Sequence, residues 1–240
     1  MLEYMTLKRD RRQFLALTGL TLKEFKALLP SFIEAYRRQH ASRQTLAGQK
    51  RQRQVGGGRR GLLNTPEQKL LFILVSQKAY PLQVVMGELC GMNQSAANQQ
   101  IHRLLPVLRD ALTTLGVMPE RDGSQFSQAE RHRSESADYI IDGTERRRLR
   151  PKSPEKQALY DSGKQKMDSD KNVVIVHPRL KRVGYLSPTH AGNTPDKKLA
   201  DTEQIVDPRH AVLHKDTGFQ GYEPKVKQTP QVKKSRVAAI

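Results

Sequence analysis

The sequence has no tryptophan, few aromatic residues and a single cysteine. Its 240 residues are 36% hydrophobic and 5% aromatic, and the one cysteine is Cys90. A lone cysteine excludes an internal disulfide bond and argues against a cysteine-rich zinc site. A composition so lean in large apolar side chains predicts a modest core with some loosely packed segments.

Long hydrophobic runs and a signal peptide are missing as well. No stretch approaches the roughly 18 apolar residues that span a bilayer. The N-terminus lacks an apolar run followed by a small-residue cleavage site. We therefore expect a cytoplasmic protein in a reducing compartment, with no membrane partner.

Acidic residues are scarce relative to basic ones. The chain has 42 Lys and Arg against 24 Asp and Glu, a net charge of +18. A surplus of this size favours a polyanionic partner, because like charges on a folded protein repel each other. Nucleic acid is the leading candidate, and an anionic membrane surface is the alternative.

The N-terminal half is patterned as helices. In residues 1–40, Thr21 and Glu24 have capping-box spacing, an apolar helical stripe follows, and Pro30 is expected to bend or split that helix. Residues 41–61 form a Gly/Arg linker without acidic residues, which is either a phosphate-contacting segment or merely a solvated linker. Its candidate DNA-binding residues are Arg51, Arg53, Arg59 and Arg60.

Residues 62–118 fit a helix-turn-helix DNA-binding domain. Thr65 is expected to cap a buried helix, with Gln68 completing a capping box. Gly87 supplies a small residue where two later helices cross, and Gly91 supplies a left-handed turn. The second of these helices is expected to start near Asn93 or Gln94.

The outward side of this second helix carries the candidate base-reading side chains. Amides at these positions suit paired hydrogen bonds to adenine in a major groove. An ordinary helical hairpin permits the same small residues, and Gln100 stands where an apolar residue is usual. The candidate DNA contacts are Gln94, Ser95, Asn98, Gln99, His102 and Arg103.

After a polar segment at 119–137, expected to be a surface linker, the pattern becomes strand-like. Apolar runs at 139–141, 173–176, 183–186 and 211–213 predict strands, with a helix at 196–202 before the last. The expected fold class is therefore α+β, with an all-α N-terminal domain followed by an α/β domain with a mixed sheet over 138–240.

Two aspartates follow apolar strands. Asp142 comes after 139–141, and Asp216 follows 212–215. Carboxylates at adjacent strand ends converge, and hard divalent cations such as Mg²⁺ prefer oxygen ligands. Two such metals can catalyse phosphodiester chemistry. The alternative for each aspartate is an ordinary turn, since Asp-Gly and Asp-Thr-Gly are common turn sequences.

Several segments, in order, resemble bacterial insertion-sequence transposases of the DDE endonuclease group, relatives of the Harbinger transposases. The segment 141–147 (IDGTERR) resembles their first aspartate motif, and 216–222 (DTGFQGY) resembles the second. Between them, 151–157, 160–164, 186–189, Gly192 and 196–198 resemble the intervening pattern. The resemblance spans about residues 10–230.

This resemblance implies a ribonuclease-H-like domain, incomplete in this chain, with the first aspartate on the first strand and the second after the fourth. It implies DNA transposition in the bacterial cytosol or nucleoid, on double-stranded element ends, by two Mg²⁺ or Mn²⁺ ions held by Asp142, Asp216 and a later glutamate. It implies no small-molecule substrate. Family members commonly work as multimers, which implies a homo-oligomer.

The third acidic residue is the main departure from the family pattern. After Asp216 the chain has Glu223 as its only acidic residue, and Pro224 follows it. We therefore expect a C-terminally truncated copy, inactive alone, whose chemistry needs further chain, for example by frameshifting. The alternatives are a truncated DNA-binding protein acting as a repressor or inert remnant, and an unrelated basic nucleic-acid-binding protein with structural aspartates.

Overall fold

The computed structural model describes residues 2–40, 61–131, 138–163, 165–227 and 229–230. The chain divides into two units, Met1–Val117 and Met118–Ile240. The described part of the first unit is helical, whereas the second combines helices with a mixed six-stranded sheet. The expectation of an α+β chain with a mixed sheet is confirmed.

The first unit contributes six helices within the described ranges. They are α1 (Tyr4–Leu7), α2 (Arg11–Thr18), α3 (Leu22–His40), α4 (Pro66–Ala79), α5 (Gln83–Cys90) and α6 (Gln94–Thr114). The capping box at the start of α3 is confirmed, because the Thr21 N–H donates to Glu24 Oε2 at 2.7 Å and the Glu24 N–H donates to Thr21 Oγ1 at 3.3 Å. Pro30 lies inside α3 and does not split it.

Helix α4 is the centre of the first core. Seven consecutive residues, 70–76, are buried there, as expected for a helix apolar on nearly all sides. The expected cap is half right: Thr65 Oγ1 accepts from the Gln68 N–H at 3.1 Å. The Gln68 amide does not return to Thr65 but bonds the backbone of Leu2 and Tyr4, which ties α1 to α4.

The second unit contains three helices and six strands in its described part. The helices are α7 (Phe126–Arg131), α8 (Pro154–Tyr160) and α9 (Asp196–Thr202), with short 3₁₀ turns at Gly123–Gln125 and Thr217–Phe219. The strands are β1 (Asp138–Arg147), β2 (Asp161–Ser162), β3 (Met167–His177), β4 (Arg182–Leu186), β5 (His190–Ala191) and β6 (Val212–Lys215).

Strand β3 is the centre of the sheet. It pairs antiparallel with β1 along one edge and antiparallel with β2, β5 and β4 along the other. Strand β6 pairs parallel with β1 on the far side, and α9 precedes it in the chain. All four strand segments and the helix at 196–202 expected from the sequence are present.

Two sequence-based expectations for this unit differ from the structure. Strand β1 does not end at Asp142 but continues to Arg147, because eight of its residues pair with β3. Residues 119–137 were expected to form a surface linker, yet α7 buries Phe126 and Glu130. The Phe126 ring packs edge-on against Tyr139 of β1, with ring centroids 5.8 Å apart, so α7 belongs to the second core, while residues 132–137 of the expected linker lie outside the described residues.

The two faces of the sheet differ in burial. Alternate residues point to opposite faces of a strand, and Tyr139, Ile141, Val173 and Ile175 are buried on the face where Leu199 of α9 is also buried. The opposite face, which carries Ile140, Val174 and Val212, is only partly buried.

Candidate active site and nucleic-acid interface

Asp142 lies within β1, on the partly exposed face of the sheet. It is opposite Val174 of β3, and its side chain is exposed. Asp142 Oδ1 accepts a hydrogen bond of 2.8 Å from the Gly143 N–H. The Asp-Gly pair is therefore part of an extended strand and not of a turn.

Asp216 follows the last residue of β6. It begins the 3₁₀ turn, where its Oδ1 accepts from the Gly218 N–H at 2.8 Å. This is the arrangement of a capping aspartate, so the turn interpretation describes its local bonding. The side chain is half-buried.

The strand register brings the two aspartates to the same level of the sheet. The parallel ladder pairs Ile140 with His214 and Ile141 with Lys215. Asp142 directly follows Ile141, and Asp216 directly follows Lys215. Alternation along both strands puts their side chains on the same face. Paired strands lie about 4.8 Å apart, so the two carboxylates are neighbours.

A third carboxylate, Asp196, lies directly behind this pair. It is the first residue of α9. A Cβ atom placed on Gly143 would lie 2.3 Å from Asp196 Oδ1, and one placed on Gly218 would lie 2.6 Å from Asp196 Oδ2. Both aspartate motifs therefore need glycine, because the Asp196 carboxylate occupies the space that a side chain would fill.

Asp196 is held by a buried lysine of β3. Lys171 Nζ lies 2.9 Å from Asp196 Oδ1 and 3.4 Å from Glu145 Oε1, and it donates to the Thr194 carbonyl oxygen at 3.1 Å. Ser169 Oγ donates to Glu145 Oε2 at 3.1 Å. Lys171 is 6% exposed, so these charges are paired away from solvent.

The environment of Glu145 favours its charged form. Burial raises the pKa of Glu145, but hydrogen bonds from Ser162 and Ser169 and the charge of Lys171 outweigh it, so the pKa is lowered overall. No role was predicted from the sequence for Lys171, Glu145 or Asp196. The available signal was a lysine in phase with Val173 and Ile175 on the buried face of an alternating strand.

The donor set at the Asp142–Asp216 pair consists of carboxylate oxygens, which hard divalent cations prefer. No group of three His, Cys, Asp or Glu residues with metal-binding geometry occurs within the described ranges. Glu223, the one acid after Asp216, lies outside any described helix. Two carboxylates alone match the way Mg²⁺ is often held, together with waters and substrate phosphates.

In the first unit, α5 and α6 form a tight helical hairpin. Gly91 ends α5 with φ +69°, and Asn93 caps α6 by accepting from the Ala96 N–H at 2.8 Å. A Cβ on Gly87 would lie 2.5 Å from the Met92 carbonyl oxygen. Gly87 is therefore required by the turn that follows α5.

The candidate DNA-contacting residues of α6 differ in their contacts and exposure, and Arg103 is both exposed and in contact with Tyr36. Asn98 is half-buried and accepts from Gln83 Nε2 at 3.0 Å, and the Arg103 guanidinium lies 5.5 Å from the centre of the Tyr36 ring. These two side chains have partners inside the unit. Those exposed to solvent are Gln94, Ser95, Gln99, His102 and Arg103.

The basic linker residues Arg51, Arg53, Arg59 and Arg60 lie outside the described residues. Across the described ranges, no helix combines the length and apolar character needed to cross a membrane. Comparisons with protein-family models, curated proteins and solved structures find no match to this chain.

Proposed function

We propose that this chain is a transposase-type protein whose second unit has a ribonuclease-H-like fold and, once a third acidic residue completes the site, processes DNA at Asp142 and Asp216. The observation that carries the proposal is the β1–β6 register, which pairs Ile141 with Lys215, the residues that directly precede the two aspartates. The two motifs are separated by more than seventy positions in the sequence. Their side-by-side placement is not a property that either motif has alone.

The strand arrangement supports the same proposal. Strands β1, β3 and β4 form an antiparallel series, and β6 returns parallel to β1 on its other side after α9. The resemblance to DDE transposases implies the first aspartate on the first strand and the second after the fourth. Asp142 lies on β1, and Asp216 follows β6, which is the sixth strand, or the fourth when the two-residue strands β2 and β5 are left out.

Mg²⁺ or Mn²⁺ fits the donor set. A divalent ion at such a site stabilises the charge that develops on phosphate oxygens and lowers the pKa of a bound water. Asp142 and Asp216 would hold the ion, each oriented by a hydrogen bond from a backbone N–H. The Asp196 carboxylate, paired with Lys171, lies behind them against the glycine of each motif.

For the first unit we propose a helix-turn-helix that binds double-stranded DNA through α6. The exposed amides of Gln94 and Gln99, with Arg103 nearby, suit base and phosphate contacts. The net charge of +18 favours such a partner. A homo-oligomer on paired DNA ends remains part of the proposal.

A DNA-binding protein that does not cut is the second candidate. It is favoured by the donor set, because the described residues place two carboxylates, and no third metal-binding group, on the exposed face. In that case the chain would occupy its DNA sites as a repressor. The two candidates share DNA binding and differ in metal-dependent cleavage.

Titration with Mn²⁺ by calorimetry tests the metal site. We expect Asp142→Asn and Asp216→Asn each to lower Mn²⁺ affinity at least tenfold, because each removes one of two charged ligands. Asp201→Asn, on the exposed side of α9, is the matched control and should bind as the unaltered chain does. Equal binding by all four proteins would refute the site.

Nicking of supercoiled DNA with Mn²⁺ tests whether this polypeptide cuts DNA by itself. We expect none from this polypeptide, since the third carboxylate of the family pattern is not supplied. Nicking that disappears in Asp142→Asn would show that two aspartates suffice.

Duplex DNA binding tests the first unit. We expect Gln99→Ala to weaken binding to a selected duplex about tenfold, the effect of losing one paired base contact, and Gln128→Ala on α7 to leave it unchanged. Binding should weaken steeply with salt. Salt-independent binding would contradict the electrostatic role of the basic residues.

A further inference from the structure

A charged cavity lies at the end of β1 that is remote from the Asp142–Asp216 pair. Its volume is about 590 Å³, which is within the range of ligand-binding clefts. The walls come from the chain after β1, from α8 and from the start of β3. Six of its eleven lining residues are charged: Arg147, Arg148, Arg150, Asp161, Lys166 and Asp168.

Two of the three arginines of this cavity, Arg148 and Arg150, are held in place. Arg148 Nη1 lies 2.8 Å from Asp170 Oδ1, and the Arg148 guanidinium lies 3.6 Å from the centre of the Tyr160 ring. Arg150 Nη2 donates to Gln157 Oε1 at 3.0 Å. A guanidinium fixed in this way keeps further N–H donors for a phosphate group.

Three cations and two acids of the cavity have no ion-pair partner in the described part of the chain. Arg147, Arg150 and Lys166 are exposed, and Asp161 and Asp168 face each other across the β2–β3 ladder. None of the five takes part in the ion pairs found there. Like charges directly opposite on paired strands are destabilising, which favours a ligand that brings hydrogen-bond donors.

An inorganic phosphate matches only the cations of this lining, because it would be attracted by the arginines and repelled by the aspartates. A nucleotide can bind both the cations and the aspartates. Its phosphate accepts from guanidinium and ammonium groups, and the exocyclic amine of its base donates to a carboxylate. Such base edges are accessible when the nucleotide is unpaired.

We propose that this cavity takes one unpaired nucleotide of a DNA strand. The phosphate lies against Arg147, Arg150 and Lys166, and the base amine lies against Asp161 or Asp168. As a substrate subsite, this rests on the proposed DNA-processing function.

The position of the cavity agrees with a subsite on a bound strand. Arg148 is six residues beyond Asp142, or about 20 Å along extended chain. That is roughly six nucleotides at 3.4 Å each, which is the spacing of nucleotides along one strand of duplex DNA. The cavity would therefore hold the strand several nucleotides from the Asp142–Asp216 pair.

Fluorescence anisotropy with single-stranded oligo(dC) and oligo(dT) of equal length tests the proposal on the full chain in EDTA. Cytosine presents an N4 amine donor, whereas thymine presents an O4 acceptor at the same place. We expect oligo(dC) to bind about fivefold more tightly than oligo(dT), the lower end of discrimination by one base contact. Equal affinities would overturn the proposal.

Variants identify the residues responsible. Asp161→Ala with Asp168→Ala removes two negative charges, so it should strengthen binding of any polyanion while abolishing the preference for oligo(dC). Arg147→Gln with Arg150→Gln should weaken both oligonucleotides about tenfold. The control, Lys181→Gln with Arg209→Gln, removes equal charge from exposed positions outside the cavity and should have a much smaller effect.

Two results would contradict this assignment. One is a preference for oligo(dC) that survives in the aspartate double variant, and the other is an equal loss of affinity in the control and cavity variants. Because the measurement needs neither metal nor cleavage, a failure here leaves the Mn²⁺ titration unaffected. Conversely, loss of the metal site would leave the base preference intact.

Discussion

The two units differ in what they bury. Within the described residues, the first unit buries two polar side chains, Thr18 and Ser76, whereas the second buries ten. Those of the second unit include Glu130, Lys171 and Asp207. Burying a charge is costly unless it is paired, so these charges are not explained by core packing alone. The second unit therefore carries the stronger evidence for a chemical role.

The partners of the buried polar groups differ in the same way. Thr18 Oγ1 donates to the Phe14 carbonyl oxygen at 2.6 Å, within its own helix. Glu130 of α7 is bonded by Arg182 of β4 at 3.0 and 3.1 Å and also by His177 of β3. Local sequence specifies the first kind of bond, while the second depends on the whole sheet.

Loss of Lys171 should produce the largest effect. We expect Lys171→Met to destabilise the second unit by about 3–5 kcal/mol, because Glu145 and Asp196 are then left buried without their cation. Urea unfolding followed by circular dichroism measures this. Lys198→Met, an exposed position on α9, should change the free energy of unfolding little.

A compensating variant checks the physical reason. Adding Glu145→Gln and Asp196→Asn to Lys171→Met removes the orphaned charges and should recover much of the loss. If the triple variant is no more stable than Lys171→Met, packing around the lysine stem and not charge pairing accounts for the effect.

Substitution of Asp207 should have the next largest effect on the stability of the second unit, and it should stabilise the unit instead of destabilising it. Burial raises the pKa of Asp207 to about 7, and neither carboxylate oxygen has a hydrogen-bond partner among the described residues. In the unfolded chain the carboxyl ionises near its ordinary pKa, so this group lowers the stability as pH rises from near 4 to 7. The total is at most about 4 kcal/mol.

Asp207→Asn should therefore stabilise the second unit at pH 8 and much less at pH 4. Thermal unfolding at both values measures the difference, with Asp201→Asn as an exposed control. A stability gain of equal size at both pH values would show that ionisation of Asp207 is not the cause.

Substitution of the crowded glycines should have the smallest effect. We expect Gly143→Ala to cost about 1–3 kcal/mol, as overpacking does, because the new methyl group meets the Asp196 carboxylate. Gly163→Ala, where a Cβ meets no atom within 4 Å, is the control. Chemical denaturation of the two variants compares them.

A matched glycine of the first unit sharpens the comparison. In Gly87→Ala the new Cβ atom would lie 2.5 Å from the Met92 carbonyl oxygen. This oxygen belongs to the backbone, so no substitution can remove it. Asp196→Ala should relieve Gly143→Ala, whereas no side-chain change should relieve Gly87→Ala. If Asp196→Ala does not reduce the cost of Gly143→Ala, the proposed clash between the new methyl group and the Asp196 carboxylate is contradicted.

Much of the secondary structure could be predicted because its signals are local. Thr21 and Glu24 predict the start of α3, and the apolar runs at 139–141 and 212–213 predict β1 and β6. Local signals also misled: Asp142-Gly143 resembles a turn, but pairing with β3 keeps it extended. Pro30 was expected to bend or split α3, and the helix continues through it, because packing of an apolar face can outweigh one lost hydrogen bond.

The candidate site could be predicted in part. Asp142 and Asp216 were identified from the sequence, and the function assigned to them remains a proposal. Asp196, Glu145 and Lys171 were not assigned a role, because the contacts among them join residues that are distant in the chain. A buried lysine on an alternating strand is a signal only once its neighbours are known.

The sequence by itself determined the positive charge, the change from helical to strand-like patterning, and the two aspartate motifs. Those properties depend on composition and on spacings of a few residues. The tertiary structure decided that Asp142 and Asp216 lie level on adjacent strands, and that the Asp196 carboxylate fills the space above both motif glycines. Register and close approach are set by pairing and packing between distant segments, which no local pattern encodes.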